Sequence, residues 1–359
     1  ANDVAAFFAP MADKVELVEV APQEVVGDDG VVRTEALGPV VRAVRRADAE
    51  RSVLLVGHYD TVFPPDSGFE GLTADGDVVR GPGVVDAKGG LVVAERLLRM
   101  VEAAGADIGW ELLVVGDEEI GSPGSAPLLA EAAGRHDFGL GYEPSMPDGA
   151  LAGARPGSAN FAHVVRGRAA HAGRELDKGR NAVLAAGRLA EAMDQLREDP
   201  EILANPAVLV GGTATNIVPD LAVLRSNIRA MTDGAATRAL EALAVAMRRL
   251  SVDGITIEQH GGFGRPPKEM TSRYGSLLGQ VRDTGASMGL SIDWRDTGGV
   301  CDGNVLAGAG LTNVDNMGPV GGDLHRQSEY LRPESLPERA ALSAALLIRY
   351  DRGEWGMER

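Results

Sequence analysis

Two histidines and a series of carboxylates sit where apolar segments give way to loops. There are five such places: Gly57-His58-Tyr59-Asp60-Thr61, Gly83-Val84-Val85-Asp86, Asp117-Glu118-Glu119, Tyr142-Glu143-Pro144 and Leu324-His325-Arg326. Imidazoles and carboxylates are ligands for divalent cations. Two such ions sharing one carboxylate, with a further glutamate left to carry a proton, make a hydrolytic centre. Each motif alone has a plainer explanation. His58 with Asp60 reads equally well as a solvated pair at a strand end, Asp86 before a helix is an ordinary N-cap, and acidic triplets are commonly just hydrated. Together they are harder to dismiss, because collecting carboxylates at one sheet end is costly unless cations neutralise them. The joint set therefore reads as a metal-dependent hydrolase, against a non-catalytic carboxylate-binding protein or a single-metal enzyme as rivals.

Spacing adds detail. Positions i and i+2 of an extended chain project to the same side, so Asp60 can hold the His58 imidazole. Glu118 and Glu119 are adjacent, and on an extended segment they are expected to point opposite ways, one to a metal and one to substrate. Glycines in Gly81-Pro82-Gly83 and Gly89-Gly90 allow close backbone approach beside Asp86. A zinc site here must use nitrogen and oxygen ligands, since the only cysteine is Cys301.

The elements that must position these groups alternate. Ser52 to Val56, Trp110 to Gly116 and Phe138 to Tyr142 read as buried strands, while Lys88 to Ala104 and Ser125 to Ala133 carry apolar residues at helical spacing. Such alternation predicts an α/β unit with a mostly parallel sheet flanked by helices, and ligands gather beyond the carboxyl ends of such strands. A Gly/Ala/Pro-rich stretch from Gly149 to Ser158 then leads to a strand (160–166), a helix (180–197), strands at 208–212 and 221–230, a helix (235–250) and a strand (255–259). That order, βαββαβ, is a ferredoxin-like unit inserted into the larger one, closing at the Gly261–Pro267 punctuation. The expected division is 1–154 with 264–359 for the metal-binding unit, and 155–263 for the insert. A hinge is expected at the two Gly/Pro segments.

Bulk composition bounds the partners. The chain has 359 residues and a net charge of -17, with no basic stripe, so a nucleic-acid partner is not expected. No apolar run approaches a membrane span, and no leader is visible at Ala1-Asn2-Asp3, so a cytoplasmic protein is expected. His136, His163 and His260 fall outside the motifs and are read as structural or surface residues.

With these motifs the chain resembles the M20 metallopeptidases, a family that includes glutamate carboxypeptidase and the N-acyl amino acid deacylases. The resemblance runs from about Val53 to about Ile348. It implies an aminopeptidase-like catalytic fold with the insert as a lid and dimerisation domain. It also implies two divalent metals, zinc first, with cobalt or manganese as alternatives. His58, Asp86 and Glu143 would hold one ion and Asp86, Glu119 and His325 the other, with Glu118 as general base and Asp60 behind His58. The Asp86-Ala87 bond matches a cis peptide of the family. His171 matches a histidine that stabilises the reacting carbonyl across a homodimer interface. Asn216 and Arg229 match binders of the substrate's free carboxylate, and Gly299 lies in a pocket loop where the family usually has Ser or Thr in place of Cys301. The implied substrate is a dipeptide or N-acyl amino acid, glutamate carboxypeptidase-like first and acetylornithine or succinyl-diaminopimelate deacylation second. Two departures stand out. No lysine follows Glu143 at Gly149-Ala150-Leu151, where Arg155 is the nearest substitute, and the family's N-terminal helix is expected to be absent or cut short before Asn2.

Overall fold

The computed structural model describes residues 1–357. The chain forms two units: Ala1–Ala21, Leu37–Arg155 and the residues from Met270 onward make the first, and Pro22–Ala36 with Pro156–Glu269 the second.

In the first unit a six-stranded sheet runs in the order Lys14–Val18, Val40–Arg45, Gly109–Val115, Ser52–His58, Phe138–Gly141, Asn313–Val314. The last four strands are mutually parallel, and the first two close one edge through antiparallel pairings. Strands buried on both faces read as near-continuous apolar runs, and Val53–Val56 and Leu112–Val115 supply such runs within Ser52–His58 and Gly109–Val115. Val53, Leu55, Trp110 and Leu112 face a cluster that includes Leu97 and Leu98 of the helix Gly89–Ala103, Leu277 of Ser272–Ser287 and Leu346 of Ser335–Asp351. Leu54, Val56, Leu113 and Val115 face the other side, against Leu129 of Ala126–Ala133 and Leu306 of Asp302–Gly308. The N-terminal helix, expected to be absent or cut short, is present as the seven residues Asn2–Phe8, with Phe8 fully buried in the main cluster.

One carboxylate of this sheet lies in its buried interior. Glu111 is buried, which alone would raise its pKa. Hydrogen bonds from His136, Arg42 and Arg135 outweigh burial and pull it to about 2. His136 is thus structural, as its lack of a motif suggests.

The second unit is an antiparallel sheet in the order Ile202–Gly211, Leu221–Ala230, Gly157–Arg166, Thr256–Arg265. Helices Ala182–Asp194 and Asp233–Leu250 complete the βαββαβ order, each with a side-chain N-cap: Asn181 accepts from Leu184 N–H and Thr232 from Ala235 N–H. Two expectations fail here. The Gly261-Gly262 stretch does not close the insert but lies within its last strand, Thr256–Arg265. Gly261 has a φ of 85°, and a Cβ there would lie 2.1 Å from the Asn160 carbonyl oxygen, so glycine lets the strand pass close to its neighbour. In addition, the hairpin Gln23–Val26/Val32–Glu35, assigned by sequence to the first unit, packs in the second. Val26 joins Val164 and Val223, Arg166 donates to the Gly30 carbonyl (2.9 Å), and Arg225 donates to the Val26 carbonyl (2.8 Å) and pairs with Asp28. Among the described residues no helix is long and apolar enough to cross a membrane.

His163 lies buried between strands, with Gln259 Oε1 3.2 Å from its Nε2. Burial, with a smaller contribution from His260, lowers its pKa to about 4. The folded state therefore keeps it neutral where the unfolded chain takes up a proton near pH 6.5. Stability that is intact above that pH should fall as pH drops toward 4. Denaturant titrations across pH 7 to 4 should show this slope, and His163→Phe should flatten it.

Candidate metal centre

Strand register brings the motifs together. His58 ends its strand level with Val115, and Gly141 pairs beside Val56. The residues just past Val115 and Gly141, Glu118 and Glu143, therefore emerge next to His58. The imidazole is fully buried. Its Nδ1 lies 3.1 Å from the Asp60 carbonyl oxygen and 3.3 Å from Asp60 Oδ1. Its Nε2 lies 3.1 Å from Asp86 Oδ1 and 3.7 Å from Glu143 Oε1. Asp60 Oδ2 accepts the Glu119 N–H (2.9 Å), so one carboxylate ties the first motif to the third.

Asp86 sits in an irregular turn, Val84–Lys88, entered through Gly83 at φ 70°, and the Asp86-Ala87 peptide is cis. Its second oxygen, Oδ2, is 3.4 Å from Nε2 of His325, which also lies 3.3 Å from Glu119 Oε2. His325 has a φ of 62° and Asp323 one of 56°, left-handed conformations that cost non-glycine residues free energy and gather where function requires them.

Glu118 and Glu119 do not point apart. They lie in a single 3-10 turn, Glu118–Ile120, ended by Gly121 at φ 97°. The Asp117 carboxylate accepts the N–H groups of Gly124 and Ser125 just beyond. The turn brings a carboxylate oxygen of each within 4.8 Å of a His58 nitrogen. Donor atoms of His58, Asp86 and Glu119 lie within 4.8 Å of one another, and so do those of His58, Glu118 and Glu143.

The electrostatics follow from this crowding. Burial opposes a proton on His58, but Glu143, Asp60 and Asp86 outweigh it and raise its pKa well above the ordinary value. Asp86 is buried too, yet the two imidazoles hold its carboxyl low. Burial raises Glu143, and the charges of Asp86 and Asp302 add to the effect against the pull of His58. Hydrogen bonds to Asp86 and Glu119 push His325 up to about 10. A knot of carboxylates that draws protons onto imidazoles is one that divalent cations would neutralise, and two imidazoles with three carboxylates fit zinc, cobalt or manganese.

The remaining expected residues fall elsewhere. Gly299 is exposed, and its carbonyl accepts from Arg155 Nη1 (3.2 Å). Arg155 is not available as a substitute for the missing lysine, because it is buried in a bidentate pair with Asp315 (2.8 and 2.9 Å). Cys301 is buried at the start of Asp302–Gly308, where its N–H donates to Asn304 Oδ1. In the second unit, His171 and Asn216 are neighbours: Ala170–His171 pairs with Ile217–Val218, and the Ala172 N–H donates to the Asn216 carbonyl. Arg229 is not with them. It lies at the far end of Leu221–Ala230, roughly 25 Å along an extended strand from Leu221. Its Nε faces Asn227 Oδ1 at 3.3 Å.

Sequence reasoning missed Glu329. It is buried, and its carboxylate accepts N–H groups from Gly83 (3.1 Å), Val85 (3.0 Å) and Asp86 (3.1 Å). Its only sequence signal is a place four residues after His325.

Residues 54–349 match the model of Peptidase family M20/M25/M40. Carboxypeptidase G2 of Pseudomonas sp. (strain RS-16) is 28% identical over 316 residues, covering 83% of this chain and 74% of that protein. Succinyl-diaminopimelate desuccinylase of Rhodopseudomonas palustris (strain TIE-1) is 29% identical over 325 residues, covering 82% and 81%. A tripeptidase structure from Staphylococcus aureus superposes with a TM-score of 0.75 at 19% identity, covering 98% of this chain and 92% of that one. The family match spans most of the sequence, strand ends and histidine motifs included, and the chain belongs to peptidase family M20/M25/M40.

Proposed function

We propose that this metallohydrolase holds two divalent cations and cleaves the amide between an acyl group or amino acid and an amino acid with a free α-carboxylate. The observation that carries the reading is Asp86, whose two oxygens face two different imidazoles, His58 at 3.1 Å and His325 at 3.4 Å. One ion would be held by His58, Asp86 and Glu143, the other by Asp86, Glu119 and His325. When bound, the cations would lower the pKa of water and polarise the scissile carbonyl.

The chain's own groups do the rest. Asp60 accepts a hydrogen bond from the Nδ1–H of His58, fixing the tautomer whose Nε2 lone pair can bind a cation. Glu118 accepts the proton of the attacking water and returns it to the departing amine nitrogen. Asn216 and Arg229 are assigned to the substrate's carboxylate, an Arg fork being matched to that group, and His171 to the developing oxyanion.

A carboxypeptidase G2-like activity is the first choice. N-deacylation is the second, supported by the comparable likeness to the desuccinylase and by the engagement of Arg155 with Asp315. A homodimer through the second unit is part of the reading. It is supported by the edge strand Ile202–Gly211, which exposes Leu203, Val208 and Leu209, and by the distance along Leu221–Ala230 between Arg229 and the His171/Asn216 pair. Those residues are more readily supplied by two copies than by one.

Chelated protein assayed on a panel of dipeptides and N-acyl amino acids should be inactive and regain activity with zinc, cobalt or manganese. Failure to release an amino acid from any of them refutes the reading, and one bound ion per chain refutes its dinuclear part. Glu118→Ala should keep both ions and lose about 10²–10⁴ in kcat, measured beside metal analysis of the same sample. Light scattering should return twice the chain mass, reduced to one chain by Leu209→Lys.

A further inference from the structure

We infer that Glu329 is a positioning residue for the metal centre, setting where the shared carboxylate Asp86 lies relative to His325. The inference rests on the dinuclear reading above and deepens it. Glu329 Oε1 accepts both the Val85 and Asp86 N–H groups, and Oε2 accepts that of Gly83. The side chain thus grips the backbone of Asp86 itself and the left-handed glycine that starts its turn. Four residues upstream, at φ 62°, stands His325, whose Nε2 faces Asp86 Oδ2. A reverse turn joins the two, with the Glu329 N–H donating to the Arg326 carbonyl at 2.9 Å, and the strand Tyr330–Leu331 then pairs with Val78–Arg80, which leads into the Asp86 turn. One residue therefore couples the segment bearing one imidazole to the carboxylate that both imidazoles face.

The other imidazole has a separate support. His58 is held by Asp60 and by its place at the end of a central strand. Loss of Glu329 should consequently disturb the ion among Asp86, Glu119 and His325 more than the ion among His58, Asp86 and Glu143. Groups behind the ligands commonly govern affinity by about 10- to 100-fold. A carboxamide is a graded probe. In Glu329→Gln, Oε1 can still accept from Val85 and Asp86, while an NH₂ group is turned on the Gly83 N–H.

The full chain, stripped of metal and titrated with Co²⁺, should be followed by calorimetry and visible absorption. Wild type is expected to take two ions. Glu329→Gln should bind the first as wild type does and the second about 10- to 100-fold more weakly, and Glu329→Ala should show a larger loss. Leu278→Ala, a cavity in the helix Ser272–Ser287, is the stability control and should keep both ions at lower Tm. Equal weakening of both ions, or wild-type affinities for both in the folded Gln variant, overturns the inference and leaves the dinuclear reading standing. The Gln variant decides the matter if the Ala variant does not fold. Fewer than two ions on the wild-type chain overturns the dinuclear reading itself, and this inference with it.

Discussion

Repulsion among Asp86, Glu118, Glu119 and Glu143 is the constraint around which the first unit is arranged. Donor atoms of Asp86 and Glu119, and those of Glu118 and Glu143, lie within 4.8 Å of each other and of His58 at the end of an apolar sheet. Such a cluster holds only if its carriers have nowhere else to go. The carriers are therefore placed at the ends of buried strands, on turns started or ended by left-handed glycines, and on segments tied by the carboxylates of Asp60 and Glu329. Rigid supports of this kind are what a preorganised cation site requires.

Buried acids elsewhere in the unit show the alternative. Glu111 and Asp315 are more deeply buried than Asp86 or Glu118, yet each is met by arginine: Arg42 and Arg135 for the first, Arg155 for the second. Glu111 is pulled down to about 2 as a result, whereas Glu143, faced mainly by imidazole and other acids, is pushed up. Burial is common to both, and the sign of the shift comes from the partner. Arginine neutralises the structural acids permanently. The acids of the centre have titratable imidazoles as direct partners, which can give up their protons when a cation arrives.

Much of this was legible because parallel strands write themselves as apolar runs and present their carboxyl ends to ligands. His58, Asp86, Glu143 and His325 could be picked out as polar residues at the edges of such runs, and register then made them neighbours. The orientation of Glu118 and Glu119 was not legible, because it depends on a 3-10 turn whose ending glycine looks like any loop glycine. Glu329 was hidden for a different reason: it binds backbone N–H groups, which leave no pattern in side-chain types. The Asp315 partner of Arg155 was hidden by distance along the chain. The hairpin at 23–35 was misplaced because Val26 is its one buried apolar side chain, too little signal to reveal which core it joins.

That hairpin changes what can be cut from this protein. The backbone passes between the two units at 21/22, 36/37, 155/156 and 269/270, four times in place of the two that an ordinary insertion makes. A fragment spanning only Pro156–Glu269 would leave Val164 and Val223 uncovered and deprive Arg166 and Arg225 of their carbonyl acceptors. The ferredoxin-like unit is thus not a cassette that can be moved between proteins by joining at its two obvious ends; a graft must carry the distant ribbon with it.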